Sequence, residues 1–504
     1  MNPAMPDAQP PAKLFGTLFA AVQERGLFAD SKSFADATPK RAIEAIMADF
    51  AWLGDDDDAL RRFVSANFDL PPTIAPAPSG QPAQPLRDYI RATWASLARA
   101  PEPATQGGSA LAVGHRHIVP GGRFRELYYW DSYFTLLGLL RDGERALAEG
   151  IVDAMTELIE TYGYVPNGTR SYYLGRSQPP LYHRMVALLD DRRPAVAARR
   201  FATMKREYGW WMRGAGTLAP GGETRRVVML ADGSVLNRYW DPSETPRDES
   251  WREDHATARA SDRPPGDVWR ELRAGAESGW DFSSRWLASA DLASIRTTRI
   301  VPIDLNALLF GLETALGNSG EGDARDFAAR AERRRAAMTR HLWNEAAGYF
   351  GDFDLDSGAL RAAPTAAAFA PLFTGAATQA QADATARLTR DGFLAPGGLR
   401  TSLQRSGQQW DSPNGWAPLQ WIAVSGLQKY GHGALAAEIA RRWITTVDLA
   451  YRSTGLVHEK YDIETQSVGE GGEYAPQVGF GWTSGVTADL IDQGFQASLP
   501  CRTI

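Results

Sequence analysis

The chain has 504 residues, 44% hydrophobic and 23% charged, which excludes a disordered polymer and supplies apolar side chains for a large core. Its net charge of −6, from 54 basic and 60 acidic residues spread along the sequence, leaves no Lys/Arg stripe to grip a nucleic-acid backbone. The single cysteine, Cys501, excludes an internal disulfide and a cysteine metal site, and no apolar run approaches the roughly 20 residues of a membrane span.

In chain order, the apolar segment Leu14 to Val22 runs straight into Gln23, Glu24 and Arg25, with no basic start before it and no cleavage site after it. A cytoplasmic location is therefore expected. The proline-rich stretch Pro71 to Pro85 reads either as a linker after an N-terminal helical piece or as an extended strap lying on the rest of the protein. Ile151, Met155, Leu158, Ile159 and Tyr162 share one face of a 3.6-residue period, as do Leu305, Leu308, Leu309, Leu312 and Leu316. Further helices are predicted over Pro194 to Trp211, Ala324 to Asn344, Trp416 to Tyr430, Ala434 to Tyr451 and Thr483 to Gln493, each bounded by Gly, Pro, Asn or Asp. Strand signals are few. Gly348 to Ala362 carries two extended runs around an Asp-Ser-Gly turn and predicts a small β-hairpin. Its Asp352, Asp354 and Asp356 do not make a calcium loop, because Ala363 stands where the bidentate Glu belongs.

Five islands combine Gly and Pro turns with Trp, Arg and carboxyl groups, as loops at the mouth of a scaffold do. They are Pro120 to Phe134, Val165 to Pro180, Asn237 to Asp254 with Glu277 to Trp286 close behind, Gln408 to Gln420, and His458 to Val486. Trp130, Trp280, Trp410, Trp416 and Trp482 lie in them and offer flat faces to the C–H surface of a sugar, while Arg, Asn, Gln and carboxylates suit its hydroxyls. Any one of these Trp residues alone reads as core filler; five beside carboxylates point to a carbohydrate cleft. Cleavage of a glycosidic bond needs two carboxyl groups, and composition cannot choose a pair among 60. The seven histidines show no metal-ligand spacing, and neither a P-loop nor a dinucleotide fingerprint occurs, so no cofactor is expected.

The segments PGGRFRELYYWDSYF and QWDSPNGWAP resemble the two signatures of the trehalase family, glycoside hydrolase family 37, and stand in the family's order. ESGWDFSSRW, EKYD, GGEY and GFGWTSGV are similar to further family segments, as is the N-terminal LFAAVQERGLFADSKSFADATPK. The resemblance implies an all-α fold, an (α/α)6 barrel with its site at one end, and hydrolysis of α,α-trehalose to two glucose molecules with inversion. It divides the chain into residues 1–85 as a helical segment and strap packed on the barrel, 86–495 as the catalytic barrel, and 496–504 as a tail. It implies a monomer with trehalose and glucose as ligands, no nucleic-acid or membrane partner, and, because members are also exported, the periplasm as the alternative compartment.

By the same resemblance Asp281 is the general acid and Glu459 the general base. Asp281 must then be protonated when substrate binds, and the flanking Trp280 and Phe282 suit an apolar setting that raises its pKa. Glu459 must stay ionised, and Lys460 or Tyr461 could help. Sugar contacts carry over to Arg123, Trp130, Asp131, Asn167, Arg176, Ser177, Gln178, Arg247, Glu249, Gly279 and Glu473. Two departures from the family pattern stand out: Asp248 replaces a usual Pro, and Glu470 interrupts the glycine run before Glu473, in a stretch expected to close over the sugar. A binding protein that had lost catalysis would not be expected to keep both carboxyls; phosphorolysis on the same scaffold stays open as another reaction.

Overall fold

The computed structural model describes residues 8–72, 82, 84–191, 193–320 and 322–495; most of the proline-rich stretch and the 496–504 tail lie outside them. Six inner helices, Tyr129–Arg141, Tyr182–Leu189, Ile303–Gly317, Ala370–Thr374, Ala417–Lys429 and Gly481–Asp492, each touch the next, and the last packs on the first to close a ring. Outside them run Leu86–Leu97, Arg145–Tyr162, Pro194–Trp211, Ala324–His341, Gln379–Leu388 and Gly433–Thr454. This is the expected (α/α)6 barrel.

Burial separates the two rings. Every residue from Tyr129 to Leu139, from Ile303 to Glu313 and from Gly481 to Ile491 is buried, so these stretches of the inner ring have no solvent face. The outer helices are amphipathic: Gly433–Thr454 buries Leu435, Ala436, Ile439, Ala440, Trp443, Ile444 and Val447 at 3- and 4-residue intervals. The ring closes tightly where the Gly485 backbone lies against that of Phe134 and Thr135; a Cβ there would stand 2.2 Å from the Phe134 carbonyl oxygen.

The helix predicted from Ala324 stops at His341 rather than Asn344, because Trp343–Asn344 turns into a strand pairing antiparallel with Tyr349–Phe350. The expected hairpin is Phe353–Asp354 against Ala359–Leu360, extended to three strands by Ile300–Val301. Its aspartates are taken up by arginines: Asp352 by Arg285 at 2.7 Å, Asp354 by Arg296, and Asp356 by Arg299 at 2.8 Å. Arg285 also grips Asp304 through two hydrogen bonds of 2.7 and 2.8 Å and lies over the rings of Trp280 and Trp286. Replacing Arg285 by Ala strands two largely buried carboxylates and is expected to cost about 3–5 kcal/mol, read as a lower denaturant midpoint.

The N-terminal helices Pro11–Glu24, Lys32–Ala35, Ile43–Phe50 and Asp57–Asn67 build a second apolar cluster around Phe15, Phe19, Phe34 and Phe68. Tyr128, Tyr172 and Tyr173 from the barrel's loops complete it. Among the described residues no helix is long and apolar enough to cross a membrane.

Candidate active site

A cleft opens at the end of the barrel where inner helices begin: Trp130 and Asp131 occupy the first turn of Tyr129–Arg141, Trp416 immediately precedes Ala417–Lys429, and Phe480 and Trp482 flank the start of Gly481–Asp492. Helix N-termini carry partial positive charge and unpaired N–H groups, which favours acidic side chains and polar ligands here. Counted out to its mouth, open solvent included, the cleft spans about 630 Å3.

Asp281 and Glu459 both line it. Asp281 follows the helix Pro265–Glu277 and the turn at Gly279, whose φ of +72° and approach to Trp130 leave no space for a side chain. The chain beyond is pinned to the 409–411 segment: Trp410 N–H donates to the Phe282 carbonyl (2.9 Å), Ser283 Oγ (2.9 Å) and Ser284 N–H (2.7 Å) donate to the Asp411 carboxylate, and the Gln409 amide donates to the Asp281 carbonyl. Burial pushes the Asp281 carboxyl up to about 7, with Arg247 opposing and Glu473 adding to the rise.

Glu459 sits just before the strand Lys460–Asp462, which pairs with Asn414–Trp416. Its N–H donates to the Gln477 carbonyl (3.0 Å) and its own carbonyl accepts from the Trp482 indole (3.0 Å). Tyr474 Oη donates to Glu459 Oε1 at 2.8 Å, while the buried Oε2 has no hydrogen-bond partner among the described residues. Burial raises the Glu459 pKa, against the pull of Lys460 and Tyr474. No hydrogen bond joins Asp281 to Glu459, yet Asp131 and Tyr474, which line the same cleft, each feel the charge of both.

Nine other positions singled out in the sequence, Arg123, Trp130, Asp131, Asn167, Gln178, Arg247, Glu249, Gly279 and Glu473, also line the cleft. Arg176 and Ser177, also expected as sugar contacts, are not among the residues that line it. Arg176 is wholly buried behind Glu249, which it holds at 2.5 Å, with Asp241 at 3.6 Å. Ser177 spends its hydroxyl on the Val165 carbonyl (2.7 Å) and its N–H on Glu277 (2.8 Å), so of the Arg-Ser-Gln run only Gln178 reaches the cleft. Burial acts on Glu249 to raise its pKa, but Arg176 and Arg247 overcome it and hold the group below the usual range. Asp131 has no such cation: burial, then Glu459 and Asp281, drive its carboxyl well above the usual range.

Trp130, Trp410, Trp416 and Trp482 face the cleft; Trp280 stands behind Trp410 as a backing ring, 5.5 Å away, while Trp410 and Trp416 stack at 3.9 Å and 1°. Sequence reasoning missed Phe124, Tyr128, Tyr173, Ser250, Tyr474 and Phe480 on the walls. All six belong to the islands, so a rule taking every aromatic there, not only Trp, would have found Phe124, Tyr128, Tyr173, Tyr474 and Phe480. Asp248 faces away from the cleft and accepts the Ala12 N–H at 2.7 Å. In the glycine run Glu470 is exposed, its carbonyl accepting from Asn414 (2.8 Å), and Gly471 and Gly472 adopt φ of +83° and +98°.

Barrel and cleft together define a helical-toroid glycoside hydrolase. A family profile described as Trehalase matches residues 26–494, and the chain belongs to the trehalase family. It is 48% identical over 498 residues to the periplasmic trehalase of Xanthomonas campestris pv. campestris, covering 97% of this chain and 87% of the relative. It is also 48% identical over 491 residues to the periplasmic trehalase of Pseudomonas aeruginosa, covering 95% and 90% of the two chains. Among solved structures, neutral trehalase from Saccharomyces cerevisiae aligns with a TM-score of 0.63 at 25% identity over 82% of this chain and 80% of that one. A mannosylglycerate hydrolase from Thermus thermophilus shares the fold, with a TM-score of 0.54 at 19% identity over 81% of this chain and all of that one. The bacterial relatives' names point to the periplasm, and the cytoplasmic expectation is corrected. That expectation rested on the lack of a basic start and of a cleavage site around Leu14 to Val22, a segment that lies in a folded helix with Leu18, Phe19 and Val22 in the N-terminal core.

Proposed function

We propose that the chain hydrolyses α,α-trehalose to two glucose molecules with inversion, Asp281 acting as general acid and Glu459 as general base. The observation that supports this most is the contrast between the two carboxyls around one hollow: Asp281 holds its proton up to about pH 7, while Glu459 keeps one oxygen on Tyr474 and leaves the other unpartnered. The acid gives its proton to the glycosidic oxygen as the C1–O bond breaks. A water between Glu459 and C1 loses a proton to the carboxylate and attacks from the opposite face, in the manner of inverting hydrolases. Arg247, Glu249, Asp131, Asn167, Gln178 and Glu473 hold the hydroxyls, and the Trp rings cover the apolar faces of the sugars.

Within this reading residues 86–495 form the catalytic barrel and the N-terminal helices pack upon it. Among the described residues four large hydrophobics are exposed, Trp52, Leu70, Leu403 and Leu449, and a monomer is part of this reading.

The test is glucose release from trehalose in phosphate-free buffer, followed by proton NMR of the first turnover. One α- and one β-glucose are expected; two α-glucoses contradict inversion, and a requirement for phosphate makes the enzyme a phosphorylase.

A further inference from the structure

The N-terminal segment Asp30 to Asp36 carries family resemblance but lies some 250 residues from Asp281 in sequence, and the reaction described above makes no use of it. In the fold its side chains do not face solvent as a group. Lys32 is buried between Asp36 (2.5 Å) and Glu126 (2.8 Å), Asp36 accepts from Tyr172 (2.7 Å), and Ser31 donates to Glu253 (2.9 Å). This network fixes the segment against the loop that carries Arg123.

Asp30, at the head of the segment, accepts two parallel hydrogen bonds from Arg123, Nε to Oδ2 at 2.9 Å and Nη2 to Oδ1 at 2.8 Å. Such a fork sets the plane of a guanidinium as a single contact cannot. Arg123 is 6% exposed, lines the cleft, and lies over the Tyr474 ring at 4.6 Å. Its N–H donates to Gln477 Oε1 (2.7 Å), and the Gln477 carbonyl accepts the Glu459 N–H. Tyr474 in turn gives its hydroxyl to Glu459 Oε1. Two routes therefore lead from Arg123 to Glu459, one from its guanidinium through the Tyr474 ring and one from its backbone N–H through Gln477, and the plane from which the first starts is held by a residue of the N-terminal segment.

We propose that Asp30 is a positioning residue of the active site, fixing Arg123 from behind so that Tyr474 and Glu459 are held in register for attack by water. The N-terminal helices are then part of the catalytic apparatus and not only a cover for the barrel. The inference rests on the trehalase reading above, which wild-type glucose release tests by itself; only ratios between active variants bear on Asp30.

The experiment compares wild type with Asp30→Ala, Asp30→Asn, Arg123→Lys, the double variant Asp30→Ala/Arg123→Lys, and Ser31→Ala as a control in the same segment. Because misplacing a reacting group by about 1 Å can cost up to about 100-fold, kcat for Asp30→Ala should fall about tenfold, with KM changing less than about threefold. Asp30→Asn, which keeps one acceptor oxygen and guards against loss of folding, should fall between. Ser31→Ala should stay within about twofold of wild type. In the Arg123→Lys background, removing Asp30 should have almost no further effect, since the two act as one unit. A kcat unchanged in Asp30→Ala, or a loss of the same factor in both backgrounds, overturns the proposal, whatever happens to the melting temperature.

Discussion

Replacing Asp281 by Asn is expected to lower kcat on trehalose about 1000-fold while sparing α-glucosyl fluoride far more. General acid assistance contributes on the order of 100- to 10,000-fold when the leaving group is a poor one. A sugar alkoxide needs that proton; fluoride departs without it. The wild type should also lose kcat/KM as pH rises through about 7, because Asp281, its pKa raised chiefly by burial, gives up its proton there. The sign follows from the role: an acid is competent below its pKa. Asp281→Asn removes that titration, so the alkaline fall should be absent from the variant's residual activity on trehalose. Equal losses on both substrates would remove Asp281 from the acid role.

Glu459→Gln is expected to lower turnover by a similar factor, about 1000-fold, on trehalose and on the fluoride alike, since both require an activated water. The amide keeps the shape and can still accept the Tyr474 hydroxyl, so the loss isolates the missing charge. In the wild type the base works only when ionised, so kcat/KM should fall as pH drops through a value above that of an ordinary Glu, burial being the main cause of the rise. Substantial activity of Glu459→Gln on the fluoride, or an acid limb at the position of an unperturbed carboxylate, would contradict the assignment.

Both carboxyls were legible only through motif context, and the reason is physical. Asp281 and Glu459 are separated by 178 positions, and nothing local to either reveals the other; the closed ring brings them to one hollow. Amphipathic outer helices such as Pro194–Trp211 announce themselves by period, because water on one side forces polar residues there. The inner helix Tyr129–Arg141 has no such stripe, since its surroundings are protein throughout, and periodicity passes over it. Arg176 shows the opposite limit. Its residue type and its island suit a sugar contact, while the fold buries it on Glu249 outside the cleft lining, and sequence spacing carries no depth. Asp30 lay beyond reach altogether, its partner Arg123 being 93 residues away.

The seam between Gly481–Asp492 and Tyr129–Arg141 has a consequence for biogenesis. The barrel's final stave comes from the far end of the chain, so a ribosome must release nearly the whole polypeptide before the toroid can seal. Until then the apolar flank of the first stave lacks its cover.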